Sequence, residues 1–411
     1  MPTPDNQDKD TVSLLIDGKL HKTWGRYQID SDFLIPSDAW SVTLGLPGGI
    51  FPAVVKRGVP VQVKIGADTV MIGRIDTVQR NVARQQTTLS LAGRDGAAVL
   101  VDCASPIFTS RQLSLEEVIA KVVRPLGVKN IKINAESSIS TDKVNVEPGE
   151  RAWDTLVRAA SARGLWPWFN PDGSLIIGGP DYTADPVATL VMRRDGKGNN
   201  LMSLSERSSM VNAFSELTVL AQGHAQGKKK SSTLEVVDVD SASFAAAIAN
   251  SEPDEADSQA DIVETVGSPE TGFHALKHVV RDPTVSFYRP QVMVVGDADN
   301  LAQVQYRARK AMADARLSGY ELVALVKGHR NDKGVLWQPG QRIHIKSEPH
   351  DIDGIFFLMG REFVGGLPEG ALTTLRLKED GVWIPDAYPK KRKSKKRKAK
   401  INKKLEIVDV E

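Results

Sequence analysis

One short phrase of strand text occurs twice in the 411-residue chain, once near each end and about 290 positions apart. The first copy reads Val61-x-Val63-x-Ile65, then Met71-Ile72-Gly73-Arg74-Ile75, then Thr87-Thr88-Leu89-Ser90-Leu91. The second reads Ile343-x-Ile345, then Leu358-Met359-Gly360-Arg361, then Thr373-Thr374-Leu375-Arg376-Leu377. The apolar residues alternate as a half-buried strand requires, and the spacing from Gly-Arg to Thr-Thr is nearly equal. Two unrelated antiparallel hairpins would give similar text, because strand sequence is degenerate. Read as a repeat, the phrase is one small β-domain used twice. In a trimer, six such units can close a ring, which lets a threefold object sit on a sixfold one.

The length suits two to four domains with a substantial core. With 41% hydrophobic and 25% charged residues the composition is that of a soluble globular protein. No apolar run reaches the roughly 18 residues needed to span a bilayer. The start, Met1-Pro2-Thr3-Pro4-Asp5-Asn6-Gln7-Asp8, lacks the basic and apolar stretches of a secretory signal, so maturation in a cytoplasm is expected. One cysteine, Cys103, excludes an intramolecular disulfide and a cysteine-cluster zinc site. The net charge of +2 hides a division: residues 390–404 hold eleven Lys or Arg and no acid, while the first 389 carry 42 basic and 48 acidic side chains.

The texture predicts an α+β, multidomain fold with two small antiparallel β-barrel domains related as an internal repeat, an α/β insert and a helical excursion. Residues 1–104 read as the first barrel, with alternating runs broken by Gly, Pro and Asp. Residues 105–204 read as the insert. Ser114-x-x-Glu117 is a capping box before an apolar helical face that Pro125 and Gly127 end. A strand at 131–133, a helix from 151 to 163 stopped by Gly164, and a hairpin through Asn170-Pro171-Asp172-Gly173 follow. Residues 205–227 and 321–385 read as the second, discontinuous barrel, with 214–220 joining strands at 321–326, 342–346, 355–364 and 372–377. Residues 228–320 read as an acidic excursion followed by a helix from an Asp299 cap to Gly319. Residues 386–411 form a basic tail.

No catalytic or cofactor pattern emerges. Neither Gly-x-x-x-x-Gly-Lys-Ser/Thr nor Gly-x-Gly-x-x-Gly occurs between a strand and a helix, so nucleotide-driven work is not expected. His274 and His278 share a helical spacing but lack the metalloprotease Glu between them, and His344 and His350 flank a loop. Asp351-Ile352-Asp353-Gly354 and Asp297-Ala298-Asp299-Asn300 lack the bidentate acid of a calcium loop and fit turn and cap roles. Glu116 and Glu117 suit a helix first turn. Trp166, Trp168 and Phe169 are read as core rather than as a stacking platform. The basic run Lys390, Lys391, Arg392, Lys393, Lys395, Lys396, Arg397, Lys398 and Lys400 has two readings, left open here. It fits sequence-blind contact with phosphates, and equally a solvated arm docking on an acidic protein surface.

Several stretches together resemble the baseplate hub proteins of contractile-tailed phages, in particular the tail protein P of Mu-like phages. They are Gly93-Arg94-Asp95 before Asp102, Val146-Glu147-Pro148-Gly149-Glu150 with Trp153 and Leu156, Gly164-Leu165, Pro171 to Ile177, Gly328-His329, Leu336-Trp337-x-Pro339-Gly340, and the strand from Phe356. The resemblance spans about residues 11–385. It implies a homotrimeric, pseudo-sixfold ring joining the sixfold tail tube to the threefold central spike. It also implies other baseplate proteins as partners, no enzyme activity, and a place in the virion after assembly in the bacterial cytoplasm. The same hub fold is similar to the N-terminal part of type VI secretion spike proteins. The tape-measure protein or the DNA end is a candidate partner for the basic tail. The alternatives are a tail-tip peptidoglycan-binding or peptidoglycan-hydrolysing protein and a nucleic-acid binder acting through the tail.

Overall fold

Alternating side chains along residues 12–95 make seven strands, as the period-two text requires. They are β1 (Val12–Ile16), β2 (Lys19–His21), β3 (Arg26–Asp32), β4 (Ala39–Gly45), β5 (Pro60–Ile65), β6 (Asp68–Ala83) and β7 (Gln86–Asp95). Each is antiparallel to its neighbours in the order β3-β4-β7-β6-β5-β1-β2. Asp17 and Gly18, at φ 50° and 71°, supply the positive-φ pair that a two-residue hairpin between β1 and β2 needs. The computed structural model describes residues 9–383 apart from 23, 85, 107–111, 135–143, 147–148, 162–164, 222–275, 296–300 and 367–369.

The insert follows directly. Its strands are β8 (Gln112–Leu113), β9 (Ile131–Ile133), β10 (Val144–Asn145), β11 (Trp166–Phe169) and β12 (Leu175–Gly178). The helix Leu115–Val118 opens on the expected capping box, with Glu117 N donating to Ser114 Oγ and Ser114 N to Glu117 Oε2. It runs on through a wide turn, Ile119–Val123, to a tight one, Arg124–Leu126, and stops at Gly127 with φ 92°. Helices Ala98–Asp102 and Ala152–Ser161 complete a core of Leu100, Val122, Trp153, Leu156, Leu175 and Ile177.

Next come β13 (Ala188–Met192), which sequence placed in the insert, and β14 (Ser203–Ser208), which it divided between the insert and the second barrel; both join the large sheet. A small sheet follows, built from β15 (Glu216–Ala221), β16 (Leu276–Arg281) and β17 (Pro290–Val295) in the order β16-β15-β17. The helix Leu301–Gly319 covers it, packing Val304, Ala308 and Met312 on Leu217, Val219 and Val280. Strand 214–220 was expected in the second barrel. It lies here as β15 because the helix buries its apolar face, and alternation does not name a partner.

The chain then returns with β18 (Tyr320–Lys327), β19 (Arg342–Ser347), β20 (Ile352–Gly366) and β21 (Leu372–Glu379). These complete a 13-stranded sheet whose main path is β14-β18-β21-β20-β3-β4-β7-β6-β5-β1-β2, with β19 on β20 and β13 on β19. Two separate closed barrels were expected; among the described residues the strands form one sheet with no closed path. The reason is β20, which turns from β19 onto β3 along its length and welds the two groups of strands. One apolar core, from Val12 and Trp40 to Leu358 and Leu377, runs under both.

The two groups share an order. In chain order and in the sheet, β3-β4-β7-β6-β5 is matched by β14-β18-β21-β20-β19, antiparallel throughout. A sixth strand breaks the match, since β1 is antiparallel to β5 and β13 parallel to β19. The two Gly-Arg pairs fall at different places: Gly73 faces Asp95, whereas Gly360 faces Arg376. Their nearly equal spacing to Thr-Thr arises differently, from long hairpin arms in the first copy and a longer connection in the second.

Candidate functional site at the seam

Where β3 meets β20, side chains from both half-sheets converge on a buried polar seam. Arg361 of β20 lies opposite Ser31 and is 1% exposed. Its Nη1 donates to Ile29 O at 2.9 Å, and its guanidinium carbon sits 3.9 Å from the centre of the Phe363 ring. Burial lowers its pKa to about 10, with Asp38 and Asp30 opposing the shift, so it is a cation at neutral pH.

Asp38 and Asp95 stand beside it. Asp38 Oδ1 accepts from the Asp32 amide at 3.1 Å; Asp95 Oδ1 accepts from Ser37 Oγ at 2.6 Å and Ala97 N at 3.0 Å. Loss of hydration raises both carboxyls above the usual range, and the charge of Asp95 raises Asp38 further. A small cavity of about 60 Å³ opens among Ser31, Asp38, Asp95, Gln338 and Arg361. On the other side of β20, Arg376 joins Asp32, at 2.8 Å, and Asp30. Gly360 makes this approach possible: a Cβ there would stand 2.3 Å from Asp32 Oδ2.

A second buried link crosses the seam. His329 is fully buried, its Nδ1 3.1 Å from Thr373 Oγ1 and its Nε2 2.8 Å from the Tyr27 hydroxyl. Thr373 Oγ1 donates to Gly328 O at 2.6 Å, so it accepts from Nδ1–H, and Nε2 accepts from Tyr27. Burial, then Arg361 and Arg330, bring the His329 pKa down to about 3, so the ring is neutral. Burial also pushes Tyr27 up to about 12.

The seam reaches the insert at two points. Arg94 holds Asp102 with both terminal nitrogens, at 3.0 and 2.6 Å, and Asp76 through Nε at 2.6 Å. Trp166 Nε1 donates to Phe33 O at 2.8 Å, and Trp166, Trp168, Phe33, Phe357 and Trp383 pack ring against ring. Trp166, Trp168 and Phe169 are thus packed into the body of the fold.

Gly93-Arg94-Asp95 and Gly328-His329, singled out in the sequence, both belong to this seam. Asp38, Asp32 and Tyr27 were not singled out, and Thr373 stood out only as part of the repeated phrase. The available signal was Arg361 itself, which with Glu362 interrupts the otherwise apolar stretch from Ile355 to Val364. The other singled-out residues lie elsewhere. His344 pairs with Asp353 at 2.6 Å, His350 with Ser347 at 2.8 Å, His278 is buried in β16, and Cys103 is half-buried and free. The basic run 390–400, Asp297, Asp299, Gly164, His274 and most of the excursion lie outside the described residues. Among the described residues no cluster of three His, Cys, Asp or Glu could hold a metal, and no helix is long and apolar enough to cross a membrane.

Family models match four stretches in succession. They are the N-terminal domain of Mu phage baseplate assembly protein GpP-like proteins at 11–95 and the second domain of baseplate hub protein gp44-like proteins at 97–179. The third and C-terminal domains of NMB1110-like tail proteins match at 266–312 and 314–382. The tail protein of Neisseria meningitidis MC58 is 36% identical, with 92% of this chain and 99% of that one aligned at a TM-score of 0.73. Baseplate hub protein gp44 of Escherichia phage Mu is 23% identical over 347 residues, 83% of this chain and 80% of gp44. The 43 kDa tail protein of prophage MuSo2 from Shewanella oneidensis, 21% identical, shares the fold at a TM-score of 0.70 over 92% of this chain and 99% of that one. The chain belongs to the Mu-like family of phage tail and baseplate hub proteins.

Proposed function

We propose that the chain is a structural baseplate hub that acts as a homotrimer, its two half-sheets per subunit forming a pseudo-sixfold ring between the sixfold tail tube and the threefold central spike. The observation that carries this reading is the five-strand order present twice in one chain, which gives three copies six similar units. The seam supports it by making each pair of units one rigid body: a polar network with Arg361 and His329 buried has to stay closed, since opening it strands charge and polar groups without partners. On this reading the protein is a component of the virion tail, with the spike and tube proteins as neighbours, and is not an enzyme. Light scattering coupled to gel filtration should give three times the 44.8 kDa chain mass, and electron microscopy of the same peak a six-lobed ring. A monodisperse monomer would sink the ring. Clearing of purified cell wall in a zymogram would return the peptidoglycan-hydrolase reading.

For the basic run 390–400 we propose contact with a polyanion. DNA binding that weakens steeply with salt and is lost on truncation after Pro389 is the expected result. Binding that survives truncation would remove that role.

A further inference from the structure

Among the described residues several strand edges of the sheet are unpaired, and the pairing already present inside the chain says what fits two of them. Beyond Ile75, β6 pairs with β7 alone, and its last residues, Gln79 to Ala83, are exposed, Val82 at 74%. β14 pairs with β18 alone, and Ser203, Ser205, Glu206, Arg207 and Ser208 are exposed. In the shared strand order, β6 holds the place of β20 and β14 that of β3. Inside the chain, β20 and β3 are paired.

The register can be carried across. Against its hairpin partner, β7 or β21, each long strand has one bulge, between Ile75 and Thr77 in β6 and between Leu358 and Gly360 in β20. Matching the bulges puts Thr77 in the place of Gly360 and Ala92 in that of Arg376. From Ala92 the ladder runs through Ser41 to Gln28; from Arg376 it runs through Val323 to Ser205. Buried positions then coincide across the core, with Trp40 on Leu322, Leu91 on Leu375 and Val61 on Ile343. Gln28 faces Val364, four residues past Gly360, so Ser205 should face Asn81, four past Thr77.

Resting on the ring reading, we propose that the free edge of β6 in one copy pairs antiparallel with the free edge of β14 in the next, with Arg80 opposite Glu206, Val82 opposite Leu204 and Asn81 opposite Ser205. The chemistry of the two edges is complementary at this register. A cation meets a carboxylate, and the exposed Val82 meets the apolar Leu204. Within the chain the place of Arg80 and Glu206 is taken by Phe363 and Ile29, both fully buried. The difference suits a contact made after folding: charged side chains keep a lone edge from pairing indiscriminately and then reward one register. The contact is heterologous, so each subunit offers one edge and accepts on the other, as a closed ring requires.

The test uses the full chain. Arg80→Glu and Glu206→Arg should each weaken trimer association about tenfold or more by placing like charges at every junction, and the double reversal should restore it. As a second measurement, Asn81→Cys with Ser205→Cys, in a Cys103→Ser background, should give a covalent trimer with a short bis-maleimide. Both positions are exposed, so folding is not at stake. A trimer that ignores the charge reversals and yields no cross-link would overturn this junction and leave the ring standing. A chain that stays monomeric at its highest soluble concentration would overturn both, leaving the edges to a different protein.

Discussion

The two half-sheets solve one packing problem with different side chains. In the first, Trp40 on β4 lies across from Gly93 on β7; at the matching place in the second, Leu322 on β18 lies across from Leu377 on β21. One large and one absent side chain fill the layer that two leucines fill elsewhere, as close packing of a fixed volume allows. The halves also differ in continuity. Six residues, 33–38, join β3 to β4, whereas the connection from β14 to β18 holds the small sheet and the helix Leu301–Gly319. Strand order therefore constrains this fold more tightly than side-chain identity or loop length, and loop-closure entropy, growing slowly with length, permits the excursion.

Substitutions test whether the halves are one cooperative unit. The largest effect is expected from Gly93→Ala, because its Cβ would stand 2.0 Å from Arg74 O and 2.8 Å from the Trp40 ring. A loss of more than about 3 kcal/mol in chemical denaturation should follow, against about 3 kcal/mol for the cavity left by Leu377→Ala. Both should shift the same single transition; two resolved transitions would show that the halves fold separately. Arg361→Met removes the cation shared by the halves and should cost about 3 kcal/mol, with a lower cooperativity if the seam is what couples them.

Acid gives the next largest effect. His329 has its pKa held at about 3 against 6.5, so its contribution is full above pH 6.5 and is lost as pH falls towards 3. By pH 5 the protein should have lost roughly 2 kcal/mol relative to His329→Gln, read as the difference between their stability profiles. Asp38 and Asp95 act with the opposite sign. Their raised values make their contribution full in acid and lost as pH climbs from about 3.8 through those values, so Asp38→Asn should flatten that side of the profile. The smallest effect belongs to Arg94→Ala, whose partly exposed ion pairs should matter by less than about 1 kcal/mol.

What the sequence disclosed follows the same division. Strands β5 and β19 and the cores of β6, β7, β20 and β21 alternate strongly and were legible, as were the Ser114 capping box and the 170–173 turn. The strands that open the five-strand order in each half were not. Arg26 to Asp32 buries Ile29 and Asp32, and Ser203 to Ser208 buries Leu204, so neither carries a period-two apolar signal. A strand held mainly by its ladder and by polar partners is silent to hydropathy. The seam was half visible: Gly328-His329 and Gly93-Arg94-Asp95 stood out as text, but their meeting depends on a β3–β20 pairing more than 300 residues apart in sequence.

Strand β20 also has a mechanical meaning. Its fifteen residues bond to β19, β21 and β3, and the β3 ladder alone runs from Gly360 to Gly366. A pull along this strand loads those hydrogen bonds together in shear, whereas a pull across it would part them one after another like a zipper. The subunit is thus stiffest along a single direction, the one in which β20 bridges its two halves.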